Sequence, residues 1–415
     1  MKVLLGTYAY NSHVQNIARA LHEAELLGAF YTGLVDNYQT AIAKRLRRAI
    51  ADSFPAVDKQ LHRRRINNIP DSIIDKVWIW EGLRTAISKL KLGRVEDRVW
   101  EKGDHYLDRK CARAILKRDF DCFFGVEHGS RLSIHAAKRC GKKSVLAFLS
   151  PYGEFRERWV DAEYESFPDL MTPTAKQVLK LRSVRNRRVY QEAVEADLIH
   201  TNSSVTMDSL LETGLPKEKF ICVPLGAPDS IPESSLPKTL SCPLQFIYAG
   251  PVSVHKGTHY LLQAWRLLNP NGAATLHFYG LPMLPERLLK DTPDNVFIHG
   301  SVPRSELFKA YEQSAVLVFP TLCDGFGEVV TESLSRGLPV ITTRNAGARD
   351  LIENGKNGFI IEPRSPEALA ERMQWCIDNP SVLLDMRRHA LATARLWTWA
   401  DYRRQLISEL LQKAA

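Results

Sequence analysis

The chain has 415 residues, 45% of them hydrophobic and 25% charged, with a formal net charge of +9. That length exceeds one ordinary core and suits two domains of near-equal size, in the composition range of globular proteins. No apolar run approaches the roughly 18 residues needed to cross a bilayer. The seven cysteines contain no Cys-x-x-Cys pair and no His-Glu-x-x-His motif occurs, so neither a redox framework nor a protein-built metal site is expected.

The opening MKVLLGTYAY has one Lys and an apolar stretch too short for a secretory signal. It reads as a first buried strand of a chain kept in the cytoplasm. A turn at Asn11-Ser12 leads into a helical pattern, with Ser12 as its N-cap and Gly28 as its stop. AFYTGLV follows as a second strand, and strand–helix–strand opens a parallel α/β sheet. Residues 41–118 break this rhythm and read as basic amphipathic helices interrupted near Pro55 and Pro70. They hold 20 Lys/Arg against 10 Asp/Glu, leaving 36 and 37 elsewhere, so one stretch carries the whole charge excess. With Trp78, Trp80 and Trp100 among its apolar residues, the stretch is open to two readings: solvated helices over a core, or a surface for anionic lipid at the inner face of a membrane. No nucleic-acid reader motif accompanies it.

The α/β rhythm resumes with DCFFGVEHG, a helix over 130–140, KKSVLAFLS, a helix around 174–195 and ADLIHTNSS. KFICVPLGAPD closes a first domain over 1–229, and the Pro/Ser-rich run 230–243 is a linker. A second series begins at LQFIYAG and continues through TLHFYG, NVFIHG, AVLVFP, LPVITT and GFIIEP, forming a domain over 244–395. WTWADYRRQLISELLQKAA is one amphipathic helix over 396–415, expected to cross back to the first domain. The expectation is two Rossmann-like domains facing each other across a cleft.

The most informative segment is PTLCDGFGEVVTESLSRGLPVITT, residues 320–343. A buried strand ends at Pro320, a Gly-containing loop follows, and a helix begins near Gly327 or Glu328. Ligands of open α/β sheets lie beyond the carboxyl ends of the strands. Gly325 and Gly327 let backbone approach a ligand, and a helix N-terminus offers free N–H groups to a pyrophosphate. A carboxylate can accept two hydroxyl hydrogen bonds, which suits Asp324 to sugar and Glu332 to ribose. This segment resembles the acidic-Gly-Phe-Gly…Glu signature of family 4 glycosyltransferases, retaining enzymes of the two-domain GT-B type. In that family the first acid, usually Glu, contacts the transferred sugar and the second the ribose; Asp324 and Glu332 occupy those positions.

FIYAGPVSVHKGTHYLLQAWRLL (246–268) is similar to the family's Gly-Arg-x-x-x-x-Lys-Gly segment, whose two cations neutralise the donor diphosphate. Lys256-Gly257 matches, but Pro251 stands in the place of the Arg, with His255, Arg336 and Arg349 as candidate replacements. NAGARDLIENGKNGFIIEP (345–363) also resembles the family, with Asn345 and Gly347 as donor contacts. In the first domain the cleft candidates are Gly6, Thr7 and His13 after the first strand, and Glu127, His128 and Gly129 after a later one. Many relatives carry a functional His where this chain has Ser150-Pro151-Tyr152-Gly153-Glu154.

The resemblance thus implies Lys256, Asp324 and His128 as the catalytic group. It implies donor contacts from Gly6, Gly250, Lys256, Asp324, Gly325, Phe326, Gly327, Glu328, Glu332, Asn345 and Gly347. The implied reaction transfers a sugar from a UDP- or GDP-linked donor to a lipid-linked or polysaccharide acceptor, with no metal and no cofactor beyond the nucleotide sugar. Pro251 and the missing second His keep a non-catalytic GT-B subunit open as an alternative. A sugar-nucleotide epimerase on the same scaffold is the other.

Overall fold

The computed structural model of the protein describes residues 1–36 except 9 and 34, and residues 93–414. Of the stretch between, it describes 45, 48, 64–66, 69–77, 79, 80, 83 and 87. Of the basic segment expected over 41–118, 34 of the 78 residues, Trp78 included, therefore lie outside the described residues. Trp80 and Trp100 pack against buried apolar side chains of the first half.

The first half contains β1 (Val3–Thr7), α1 (Ser12–Glu23), β2 (Leu27–Thr32), β3 (Ile74–Lys76), α2 (Gly93–Lys117), β4 (Cys122–Val126), α3 (Arg131–Arg139) and β5 (Lys143–Phe148). It continues through α4 (Gly153–Arg156), α5 (Ala162–Ser166), α6 (Pro173–Glu195), β6 (Leu198–Thr201), α7 (Ser204–Leu211) and β7 (Phe220–Cys222). The seven strands form one sheet in the order β3-β2-β1-β4-β5-β6-β7, and every pairing is parallel. β1, β4 and β6 are buried along their whole length, as expected for strands covered by helices on both faces.

The second half runs β8 (Leu244–Ala249), α8 (Thr258–Leu268), β9 (Ala274–Tyr279), α9 (Glu286–Lys290), β10 (Val296–Gly300), α10 (Arg304–Gln313) and β11 (Val316–Phe319). Then come α11 (Glu328–Ser335), β12 (Val340–Thr343), β13 (Gly358–Ile361), α12 (Pro366–Asp378), α13 (Pro380–Leu396) and α14 (Trp399–Ala414). Its six strands are also all parallel, in the order β10-β9-β8-β11-β12-β13.

Two local expectations differ. The N-cap of α1 is Asn11, whose Oδ1 accepts from the Val14 N–H at 2.9 Å, leaving the Ser12 hydroxyl for another partner. The helix ends at Glu23 rather than running to Gly28, because Glu25 takes a left-handed conformation with φ 58°. Gly28 instead lies within β2, where a Cβ would fall 2.5 Å from Lys2 Cγ.

The C-terminal helix α14 returns to the first half and packs on α1. Buried Tyr402 reaches two buried imidazoles, His13 Nε2 at 2.7 Å and His200 Nε2 at 3.0 Å, and these lie 3.2 Å apart. Arg403 adds an ion pair to Glu23 at 2.7 Å and a bond to Asn16 Oδ1 at 3.0 Å. Desolvation keeps both imidazoles uncharged, pushing His200 down to about 4 and His13 well below its ordinary value. Both take a proton more readily once unfolded, so their contribution to stability declines as pH falls from 6.5 toward 4. Glu192, raised to about 8 by burial, acts in the opposite sense, so the comparison belongs between variants. His200→Gln removes one of the two liabilities. Its thermal midpoint relative to wild type should rise between pH 7 and pH 5, as checked by calorimetric melts at matched ionic strength.

Candidate functional site

In each sheet the strand order reverses once, between β1 and β4 in the first and between β8 and β11 in the second. Loops leaving adjacent strands at such a point diverge, and a crevice opens at the carboxyl ends. The loop after β8 carries Gly250 to Lys256, and the loop after β11 carries Pro320 to Gly327. Opposite them lie the loops after β1, β5 and β6, with Asn11, Leu149 and Asn202. An open cleft of about 290 Å³ separates the halves. It is lined by Gly250, Pro251, Lys256, Asp324, Phe326, Gly327 and Glu328 on one side and by Asn11, His13, Leu149 and Asn202 on the other. That volume is at the lower end of small-molecule sites, which begin at roughly 300 Å³.

Lys256 Nζ is paired with Asp324 Oδ2, the two side chains being 17% and 16% exposed. The ammonium also lies 5.6 Å from the centre of the Phe319 ring. Burial opposes charge on Asp324, but the Lys256 charge and hydrogen bond outweigh it and hold the carboxyl below its ordinary value. His255 donates to the Cys323 carbonyl oxygen, and burial with the neighbouring Lys256 charge pushes its pKa to about 3. It is therefore a neutral strut rather than a replacement cation.

Gly327, with φ 91°, caps α11 without a side chain, so the positive end of that helix opens onto the cleft at Glu328 and Val329. α8 starts in the same way from Gly257 beside Lys256. Glu328 accepts from the Ser12 hydroxyl at 2.6 Å across the cleft, and burial raises its pKa. Glu332, one turn further, is 13% exposed and pairs with Arg304 at 2.9 Å; burial raises its pKa as well. It sits behind α11's first turn rather than on the wall shared with Lys256.

Several expected contacts have other tasks. A Cβ on Gly325 would lie 2.0 Å from the Leu149 carbonyl oxygen, so its close approach is to the first half of the protein and not to a ligand. Asn345 Nδ2 donates to Leu322 O at 2.9 Å, its carbonyl accepts from Asp324 N at 3.0 Å, and Gly347 N donates to Asp324 O at 3.1 Å. These two residues hold the Asp324 loop from behind. Gly6 is inside β1, where a Cβ would meet Cys111 Sγ at 2.7 Å; it makes room for α2, not for a donor.

His128 does not line the Lys256 cleft. It borders a neighbouring cavity with Trp100, Glu127, Arg156, Arg182 and Arg185. Its backbone N–H bonds Glu192, its ring stands edge-on to Trp100 at 5.8 Å, and burial with nearby arginines lowers its pKa to about 3. Glu127, accepting from Leu149 N and Ser150 Oγ, is raised to about 7 by burial. Arg336 bonds Asp229 O and lies over Phe308, while Arg349 bonds Arg344 O and Ser204 Oγ, so neither cation is free for the cleft. Sequence reasoning overlooked Arg156. Its one signal was a cation just after the segment where relatives carry a His.

Residues 243–379 match the family described as glycosyl transferases group 1. The matched segment is one third of the chain and lies within its second half. The capsular polysaccharide biosynthesis glycosyltransferase CapM of Staphylococcus aureus is 32% identical over 147 residues, 32% of this chain and 37% of that protein. The D-inositol 3-phosphate glycosyltransferase of Corynebacterium glutamicum is 30% identical over 106 residues, 26% of this chain and 25% of that protein. The matches therefore span well under half of these relatives' own lengths. HepE of Anabaena, solved in complex with UDP, superposes over 99% of this chain and 100% of its own, with a TM-score of 0.59 and 15% identity. The whole chain has the GT-B fold. Among the described residues of this glycosyltransferase fold, no group of three His, Cys, Asp or Glu is poised to hold a metal, and no helix is long and apolar enough to cross a membrane.

Replacing Lys256 with Met strands a buried carboxylate at Asp324, which costs about 3–5 kcal/mol in comparable pairs. Lys256→Met should lower the urea midpoint accordingly, and adding Asp324→Asn should recover most of the loss.

Proposed function

We propose that this protein is a retaining, metal-independent glycosyltransferase that moves a sugar from a UDP- or GDP-linked donor to an acceptor hydroxyl. The observation that carries the reading is the meeting of Lys256, Asp324 and the open positive end of α11 in one cleft at a strand-order reversal. Lys256 and the two helix starts stabilise the negative charge that grows on the departing diphosphate. In the loaded site the ammonium turns to the diphosphate and Asp324, already held ionised, turns to sugar hydroxyls. Glu332 accepts from the ribose, with Arg304 keeping its carboxylate in place. No charged imidazole is on hand, since His13, His128 and His255 are all held neutral. This is compatible with retention through the donor's own phosphate acting as base, as the family resemblance implies.

The cavity holding His128 and Glu127 is the acceptor side in this reading. The similarity to CapM, a capsular polysaccharide enzyme, supports a polysaccharide or lipid-linked acceptor, and the UDP complex of HepE favours a uridine donor. The basic stretch 41–118 would bring a cytoplasmic enzyme to a lipid-linked acceptor at the inner face of the membrane. Pro251 favours one other reading, a subunit that binds nucleotide without turnover.

Titration calorimetry with UDP and GDP tests the donor site. One of the two should bind saturably, and Glu332→Ala should weaken it about tenfold, given about 0.5–1.5 kcal/mol for each lost hydrogen bond. Binding of neither would sink the proposal. Once an acceptor is in hand, proton NMR of the first-formed product should show the donor's anomeric configuration, at a rate unchanged by EDTA. An inverted product or chelator-sensitive turnover would refute that part.

A further inference from the structure

A nucleoside diphosphate brings at least two negative charges, and the cleft meets it with one cation and two acids. Lys256 is the sole Lys or Arg among the described residues lining it, while Asp324 and Glu328 face the same space. Pro251 offers no charge where the resembling family carries Arg. A second positive charge must come from elsewhere if a diphosphate is to be held there against two carboxylates.

We propose that Arg156, at the end of α4 in the first half, supplies that second cation to the donor diphosphate from across the cleft. The inference rests on the donor reading above and names a residue for it. Three observations carry it. First, Arg156 borders a cavity whose other walls include Pro251, His255 and Lys256, so guanidinium and ammonium belong to residues of one cavity wall. Pro251 and Lys256 also line the donor cleft, so the two spaces adjoin at that loop.

Second, the positive charge of Arg156 reaches the immediate neighbours of both donor-site residues. It contributes to lowering His255, beside Lys256, and acts on Cys323, beside Asp324.

Third, Arg156 lacks the carboxylate partner that most of the cations around it have. Arg182 pairs with Asp161, Arg185 with Glu101, Arg158 with Glu212 and Arg364 with Glu163. Arg156 forms no ion pair among the described residues, and its Nε is buried without a hydrogen-bond partner. A half-buried guanidinium in that condition is unfavourable unless a ligand completes it. Its planar fork suits a phosphate, and α4, following directly on β5, gives it a short, fixed stem. Because α4 and Lys256 belong to opposite halves, a diphosphate held by both would also tie the halves together.

The test compares UDP with UMP (GDP with GMP if guanine is preferred) by calorimetry on the full chain. Arg156→Ala should weaken UDP about tenfold or more and UMP much less, since the lost contact is a charge-assisted bond to the outer phosphate. Arg156→Lys should fall between. Arg156→Ala combined with Pro251→Arg should regain much of the UDP affinity, because a second cation returns at the same loop. An equal loss for UDP and UMP, no loss at all, or no recovery in the double variant would each overturn the assignment while leaving the donor site standing. A wild-type protein that binds neither diphosphate would remove the donor reading and this inference together.

Discussion

Asp324 is buried on a loop between two halves of the protein, and a carboxylate in that position keeps its charge only if a partner comes with it. Lys256 is that partner. To bring it there, α8 must start at Gly257, where the backbone is left-handed and where a Cβ would strike the Pro320 carbonyl at 2.0 Å. Asn345 and Gly347 fasten the same loop from behind through main-chain bonds. The pair thus draws the β8, β11 and β12 loops to one point. The open end of α11 follows from the geometry, because Gly327 turns the chain into the helix without supplying a side-chain cap.

The seam between the halves is polar and specific. Ser12 bonds Glu328, Ser203 bonds Gly325 O, and Ser204 bonds Asp350. Buried Glu163 reaches across to His259 at 3.1 Å and to Arg364. Hydrogen bonds of this kind are exchanged with water at low net cost, in the manner of domain interfaces that open. Apolar fastening comes from Phe167, whose ring stands edge-on to Tyr260 at 6.0 Å, and from α14, whose Tyr402, Leu406 and Leu410 are fully buried.

Charge at the site is supplied sparingly. Three imidazoles near the cleft are held neutral by burial, and the carboxyls of Glu127, Glu328 and Glu332 are all raised by it. Against that background the Lys256 ammonium and the Arg156 guanidinium border the same cavity beside the Pro251 loop. Their placement on opposite halves makes the electrostatics depend on how closely those halves meet.

Much of this was legible in order along the chain. Uninterrupted apolar runs such as VLVF and CFFGV announced buried parallel strands, and the Asp-Gly-Phe-Gly loop with Lys256-Gly257 marked the loops that carry the cleft. Those signals are local: strand burial, helix starts and turn glycines are written in neighbouring residues. The sequence could not reveal which glycines serve packing. Gly6, Gly325 and Gly347 look like ligand-side glycines until Cys111, Leu149 and Ser203 arrive from distant segments. Nor could it place Arg156 opposite Pro251, or join His13 and His200 to Tyr402. Those depend on which loops two separate sheets bring face to face, a matter of strand order and long-range packing that no short stretch of residues encodes.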